Sequence, residues 1–339
     1  MPRLQRHVYT LLALLGLMLV LTSGSAMAQY QVRYLDADVS GRATHFEPLL
    51  GDAWGLAYAP GGPFWISDES TGWSTLYNGA GIQQSLEVVV PTADGTGFGT
   101  PTGIVFNGSQ EFAIDKWVSV FLFATLDGSI QGWSGFNPDA TLVGATNSGA
   151  SYTGLAITSY ASGNSLFAAD AANNKVDIYD SNFNLTGWFT DTKIPAGFAP
   201  FGIQDIAGQV YVTFAATNGG PGGYIDIFTE TGIFVKRLVS NGLLNQPWGL
   251  AVAPKDFGPL SGTLLVTNNT SAGNIIGYNL TTGKLVGIVQ ESGKNIKIDG
   301  LWGIEFGGGS SNNGAKNQLF FTAGPNDYYG YFGVVGVAK

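Results

Sequence analysis

The chain contains no cysteine, and only two histidines, His7 and His45, occur in its 339 residues. Disulfide staples are therefore excluded, as are a cysteine nucleophile and a thiolate metal site. Charge is also scarce: Asp, Glu, Lys and Arg make up 12% of the chain, and 24 acids against 15 bases leave a net charge of -9. Nucleic-acid binding needs a concentrated basic face, whereas these lysines and arginines are sparse and scattered. The same shortage argues against anionic membrane surfaces. Beyond the N-terminus no stretch reaches the roughly 18 unbroken apolar residues of a membrane-spanning helix, and no helical periodicity recurs along the chain. What is abundant is glycine, at 50 residues, together with 13% aromatics. That composition belongs to many short strands joined by tight turns. Disorder would show fewer aromatics and more charge.

Arg3 and Arg6 precede an apolar run, Leu11 to Leu21, that is too short to cross a bilayer comfortably, and Ala26-Met27-Ala28 fits the small-x-small pattern of signal-peptidase sites. We read residues 1–28 as a secretory signal peptide, with an uncleaved anchor as the alternative. Cleavage would start the mature chain at Gln29, remove two arginines and no acids, and bring the formal charge to -11. The protein is thus expected to be exported, to the periplasm or the medium. The remaining residues 29–339, held by a core rather than by staples, are read as one domain.

An internal repeat organises that domain. An aromatic residue or threonine followed by Gly and then Leu or Ile recurs as Trp54-Gly55-Leu56, Thr102-Gly103-Ile104, Thr153-Gly154-Leu155, Phe201-Gly202-Ile203, Trp248-Gly249-Leu250 and Trp302-Gly303-Ile304, the glycines being 48, 51, 48, 47 and 54 residues apart. Behind each copy follow a second strand (for example Phe64 to Asp68), a third (for example Lys175 to Tyr179), and a turn leading into a fourth (for example Lys284 to Val289). This order predicts an all-β fold, a six-bladed β-propeller of four-stranded antiparallel blades. The last copy has little room for a fourth strand, while Tyr30 to Leu35 is a spare strand before the first. Pairing the two closes the ring and protects edge groups that invite aggregation.

The chain resembles an uncharacterised family of secreted bacterial six-bladed propellers with NHL-like repeats. The matching pieces include Trp54 to Ala57, Gly62 to Asp68, Ser74 to Tyr77, Thr100 to Gly108, Lys175 to Tyr179, Pro247 to Ala251 and Ile298 to Gly303. Many members end in a PEP-CTERM sorting tail, which Val335-Gly336-Val337-Ala338-Lys339 does not match. The resemblance implies the fold and export, and carries no activity.

Residue inventory narrows the chemistry further. A serine triad would have to use His45, ahead of the first blade, and Gly132-Trp133-Ser134-Gly135 lacks the spacing of a nucleophile elbow. Carboxylate and amide oxygens remain, which suit Ca²⁺ rather than soft metals. The second strands end in register at Asp68, Thr125, Asp170, Ala215, Asn268 and Ala323, so oxygen side chains recur at one level in four blades. They are candidate ligands, although Asp and Asn at strand ends also cap turns. Two positions after each motif glycine stand Ala57, Val105, Ala156, Gln204, Ala251 and Glu305. If the first strand lines the channel, Gln204 and Glu305 bring an amide and a carboxyl to the axis; the alternative is that both serve backbone groups between blades.

Trp54, Trp248 and Trp302 share one repeat position and read as blade-packing residues, whereas Trp73, Trp117, Trp133 and Trp188 fall near turns and offer stacking surfaces for sugars. The longer inserts, Thr92 to Gly99, Gly219 to Gly223 and Gly307 to Ala315, are candidate contact segments. The expectation is a binding or scaffold module for a small molecule, glycan or extracellular protein, acting through rim loops and channel mouth. The competing expectation is a Ca²⁺-dependent lactonase or esterase with an axial metal.

Overall fold

Each copy of the repeat opens with a strand that carries one extra residue relative to its neighbour. In the first copy Ala53 faces Asp68 and Leu56 faces Ile66, so three steps along one strand match two along the other. The same irregularity falls at the motif of the other five copies. The motif is thus a β-bulge, the place where a glycine inside a strand is expected. The bulge turns its first residue toward the axis and brings the glycine against the next innermost strand. A Cβ on Gly202 would lie 2.0 Å from the Trp248 carbonyl oxygen, one on Gly103 2.3 Å from the Leu155 nitrogen, and one on Gly55 2.4 Å from the Thr102 carbonyl oxygen. Only glycine allows six innermost strands to approach one another this closely.

Threonines complete the joints. Where threonine precedes the glycine, its hydroxyl donates to the next blade: Thr102 to the Tyr152 carbonyl at 2.7 Å and Thr153 to the Phe201 carbonyl at 2.8 Å. Where an aromatic stands there instead, the second strand can supply the hydroxyl. Thr267 accepts from the Gly249 N–H and donates to the Trp302 carbonyl, both at 2.7 Å. Thr322 links the Gly303 N–H to the Trp54 carbonyl in the same way and so joins the last blade to the first.

The computed structural model describes residues 29–160 and 163–338, so the expected signal peptide lies outside the described residues. Six antiparallel blades radiate from the axis, and their innermost strands are Ala53–Tyr58, Pro101–Phe106, Tyr152–Tyr160, Phe198–Asp205, Pro247–Val252 and Leu301–Phe306. Blades 1 to 5 each draw all four strands from their own repeat, and in blade 2 a small hairpin, Ala113–Ile114 with Trp117–Val118, is inserted between the first strand and the second. Blade 6 takes its fourth strand from the beginning of the described chain: Tyr30–Ala37 pairs antiparallel with Tyr331–Val337 at seven positions. The ring closes as the repeat count requires. His45 lies on a two-residue strand paired in parallel with Asp36 and Ala37, at the outer edge of blade 6 and away from the axis.

The core follows from this geometry. Six apolar clusters fill the six spaces between neighbouring blades, such as Trp65, Leu76, Val88, Ile104, Phe121 and Phe123 between blades 1 and 2. A seventh, of Trp54, Trp248 and Trp302, sits on the axis. Among the described residues there is no α-helix, only two single 3₁₀ turns, and no helix long and apolar enough to cross a membrane.

Candidate functional site

The axis is closed at one end and open at the other. At the closed end the bulge directs Trp54, Trp248 and Trp302 inward, so these residues, expected to pack between blades, plug the channel instead. Trp54 and Trp302 stack with ring centres 3.7 Å apart, and Trp248 meets them edge-on at 6.2 and 5.8 Å. The smaller Thr102 and Thr153, at the same level in blades 2 and 3, leave room for the indoles. Trp248 reaches across the ring to donate its Nε1–H to the Thr153 carbonyl at 2.8 Å. Asp52 fixes the stacked pair: its two carboxylate oxygens accept the Nε1–H groups of Trp54 at 2.8 Å and Trp302 at 2.9 Å. Burial pushes the Asp52 carboxyl up to about 7 against the opposing pull of these two donors.

Beneath the plug lies a throat of about 40 Å³, walled by motif glycines and Leu or Ile side chains together with Gln204 and Glu305. It widens to a mouth of about 350 Å³, lined by Ala57, Tyr58, Val105, Phe106, Ala156 and Asp205 as well as the same Gln204 and Glu305. Gln204 and Glu305 therefore do stand on the channel, in blades 4 and 6, with blade 5 between them. All six positions two beyond the motif glycine lie near the mouth ends of their strands, and four carry only small or apolar side chains.

Neither polar side chain is consumed by the scaffold. Among the described residues the Gln204 amide makes no hydrogen bond to protein, and the Glu305 carboxyl has only the Phe306 N–H beside it. Gln131 shows what a structural glutamine looks like in this protein: it is fully buried, its Nε2 donates to the Pro91 carbonyl at 2.6 Å and Ser129 Oγ at 2.9 Å, and its Oε1 accepts from Thr141 at 2.6 Å. Burial pushes the Glu305 carboxyl up to about 7. Tyr58 is pushed up to about 12, first by burial and then by the charge of Glu305.

Asp68, Asp170 and Asn268 do not join them. Each second strand runs back to the plugged end, so these three sit at the far end of the ring and are taken up by their own loops. Asp68 Oδ2 accepts from the Thr75 N–H at 2.9 Å and the Thr75 hydroxyl at 2.8 Å. Asp170 accepts from the N–H groups of Ser151 and Asn173 and from the Asn173 amide. Asn268 donates to the Leu243 carbonyl at 2.7 Å and accepts from the Asn245 N–H at 2.9 Å. Their common register reflects a common turn geometry. Among the described residues no group of three or more His, Cys, Asp or Glu side chains is placed to hold a metal ion, so these residues do not fit the calcium site that their register suggested.

The rim is divided likewise. Thr92 to Gly99 and Gly219 to Gly223 border the plugged end, while Gly307 to Ala315 borders the mouth. Of the four tryptophans expected near turns, Trp73 and Trp133 are half-buried, Trp133 against Trp65, whereas Trp117 and Trp188 are exposed. Trp117 stacks on Phe136 at 4.2 Å with Lys116 over its ring.

Three site residues escaped the repeat pattern. Asp52 precedes the motif and Tyr58 is one more aromatic at a strand end, so neither stands out. Asp205 was within reach: carried one residue further, the register reads Tyr58, Phe106, Ile157, Asp205, Val252 and Phe306, with one acid in an otherwise apolar or aromatic row.

No protein-family model matches the chain. It is similar to the uncharacterized protein R648 of Acanthamoeba polyphaga mimivirus, 29% identical over 330 residues that cover 88% of this chain and 78% of that protein. Uncharacterized protein R640 of the same virus is 36% identical over 228 residues, which cover 60% of this chain and 42% of R640. Among solved structures, a gluconolactonase from Xanthomonas campestris superposes with a TM-score of 0.56 at 14% identity, covering 93% of each chain. A streptogramin B lyase superposes with a TM-score of 0.55 at 13% identity, covering 91% of this chain and 98% of the other. At such identities the likeness establishes the fold: a six-bladed β-propeller with neighbours of the NHL-like type.

Proposed function

We propose that this propeller is a binding module that admits a small organic ligand into the blind axial funnel, where the Gln204 amide and the Glu305 carboxyl hold it. The observation that carries this reading is that both groups face the cavity with their hydrogen-bonding capacity unmet by the scaffold. The Gln204 amide is half-buried, and a hydrogen bond that a ligand makes to it in place of water contributes about 0.5–1.5 kcal/mol. The cavity lies at the lower end of the range of small-molecule sites, and its mostly apolar wall with a few polar groups is their usual composition. The plug of Trp54, Trp248 and Trp302 makes the funnel blind, so ligand enters and leaves by the mouth. The dispersal of Asp68, Asp170 and Asn268 supports binding over calcium-dependent hydrolysis, and the gluconolactonase and lyase neighbours bear on the fold alone. The leader-like residues 1–28 make export part of this proposal.

The test is a screen of small organic compounds by ligand-observed NMR against the wild type and against Gln204→Leu and Glu305→Gln, with circular dichroism confirming that both variants fold. The expected result is at least one binder whose signal is lost in both variants. Compounds that bind the three proteins alike would place the site elsewhere and refute the reading.

A further inference from the structure

Resting on the funnel reading, we propose that its ligand is a primary carboxamide on a small apolar body, with the amide head filling the throat between Gln204 and Glu305 and the body lying in the mouth.

The cavity is stepped. A throat of about 40 Å³ opens into a mouth of about 350 Å³, and the only polar side chains that line both are Gln204 and Glu305. At about 10–15 Å³ for each water-sized group, the throat holds about three heavy atoms, the size of a carboxamide or carboxylate head and too little for a ring. One Leu or Ile from each blade walls it together with motif glycines, and its floor offers no free donor: the Trp248 Nε1–H is bonded to the Thr153 carbonyl, and those of Trp54 and Trp302 to Asp52. A polar head that enters must therefore find its side-chain partners in Gln204 and Glu305. These stand two blades apart in a ring of six, about 120° around the axis. The oxygen and nitrogen of a planar amide diverge from their carbon by about the same angle. A head so placed directs its oxygen at the Gln204 amide and an N–H at the Glu305 carboxyl.

Charge selects among heads of this size. No basic residue lines throat or mouth, so an anionic head meets Glu305 without a counter-charge. A cationic head leaves the Gln204 N–H donors facing positive charge, and the second acid of the mouth does not help it. Asp205 turns to its own loop, where Oδ1 accepts from the Gly208 N–H at 3.4 Å and Oδ2 is sealed from solvent. Either ion also gives up its water on entering a throat walled by Leu and Ile, a greater loss for a charge than for an amide. A neutral carboxamide brings an acceptor to Gln204 and a donor to Glu305. Beyond the step, Ala57, Val105 and Ala156 leave room for an apolar body, flanked by the rings of Tyr58 and Phe106.

The test titrates butyramide, N,N-dimethylbutyramide, butyrate and butylammonium into the protein at constant ionic strength and follows binding by ligand-observed NMR. Butyramide should bind at least ~10-fold more tightly than each of the other three, and its binding should be lost in Gln204→Leu. The ranking is read in the unaltered protein and does not depend on any variant folding. The dimethylated amide has no N–H and a head too wide for the throat; if it binds as tightly as butyramide, the placement of the head is overturned, and loss of both in Gln204→Leu would leave the funnel reading intact. Tightest binding of butyrate or of butylammonium overturns the neutral head. Butyramide binding unchanged in a folded Gln204→Leu, or no binding by any of the four probes, overturns the carboxamide assignment. The funnel reading itself fails only if the wider compound screen yields no binder that is lost in Gln204→Leu and Glu305→Gln.

Discussion

Adding one methyl group at Gly202 should open the ring between blades 4 and 5. The new Cβ would sit 2.0 Å from the Trp248 carbonyl oxygen, 2.7 Å from its carbonyl carbon and 2.9 Å from Thr213 Oγ1. Two of these three contacts are backbone of the neighbouring innermost strand, which cannot rotate away as a side chain can. Restoring van der Waals contact needs a separation of roughly 1 Å or more between the innermost strands of blades 4 and 5. Overpacking of this kind costs about 1–3 kcal/mol, and backbone on both sides puts Gly202→Ala at the upper end. The smaller conformational freedom of unfolded alanine returns about 0.4–1 kcal/mol, leaving a net loss of about 2–3 kcal/mol. At about 2–4 °C per kcal/mol for a chain of this size, the melting midpoint should fall by about 4–12 °C. Gly187, on the outermost strand of blade 3, has nothing within 4 Å of its would-be Cβ, and Gly154 has its nearest neighbour at 3.0 Å. Differential scanning calorimetry and urea unfolding should rank the variants Gly187→Ala, Gly154→Ala, Gly202→Ala in increasing destabilisation. If Gly202→Ala falls within about 0.5 kcal/mol of Gly187→Ala, close strand approach is not the reason for the motif glycine.

Two further perturbations probe the charges and the closure. Burial raises Asp36, Asp52 and Glu305 each to about 7, so their stabilising neutral forms dominate below the unfolded-state values near pH 4 and are lost as pH rises through about 7. Stability should therefore fall from pH 5 to pH 8, with Asp52 alone contributing up to about 3 kcal/mol over that window at 1.36 kcal/mol per pKa unit. Asp52→Asn should flatten that slope, and a melting midpoint that climbs toward pH 8 would contradict the burial account. Removing residues 29–36 takes away most of the fourth strand of blade 6 together with the buried Tyr30 and Leu35, each worth about 1.5–3 kcal/mol. The melting midpoint should fall steeply, and an unchanged curve would show that closure does not depend on this strand.

The architecture was legible because it is periodic. A glycine recurring about every fifty residues, with an aromatic or threonine before it and Leu or Ile after it, reflects one local requirement met six times: a bulge where two innermost strands nearly touch. The spare strand at Tyr30 and the missing one after Tyr331–Val337 followed from counting. Periodicity also revealed Gln204 and Glu305, since a repeat makes an exception visible. The same register misled at Asp68, Asp170 and Asn268, because residues in equivalent positions share a local turn as readily as they share a ligand. Separating the two requires knowing that the second strand runs back to the opposite end of the channel.

The bulge explains the other limit. In a regular strand the alternation of faces would have placed Trp54, Trp248 and Trp302 by counting, but one inserted residue re-aims each toward the axis. Sequence alone determined the number of blades, the strand order, the means of closure and the level at which polar groups enter the channel, because each is set by spacing along one chain. Tertiary structure decided that three indoles and Asp52 close one end, that Tyr58 stands beside Glu305 at the other, and that no basic residue lines the mouth. These are relations among different blades, and no local pattern encodes which side chains meet across an axis.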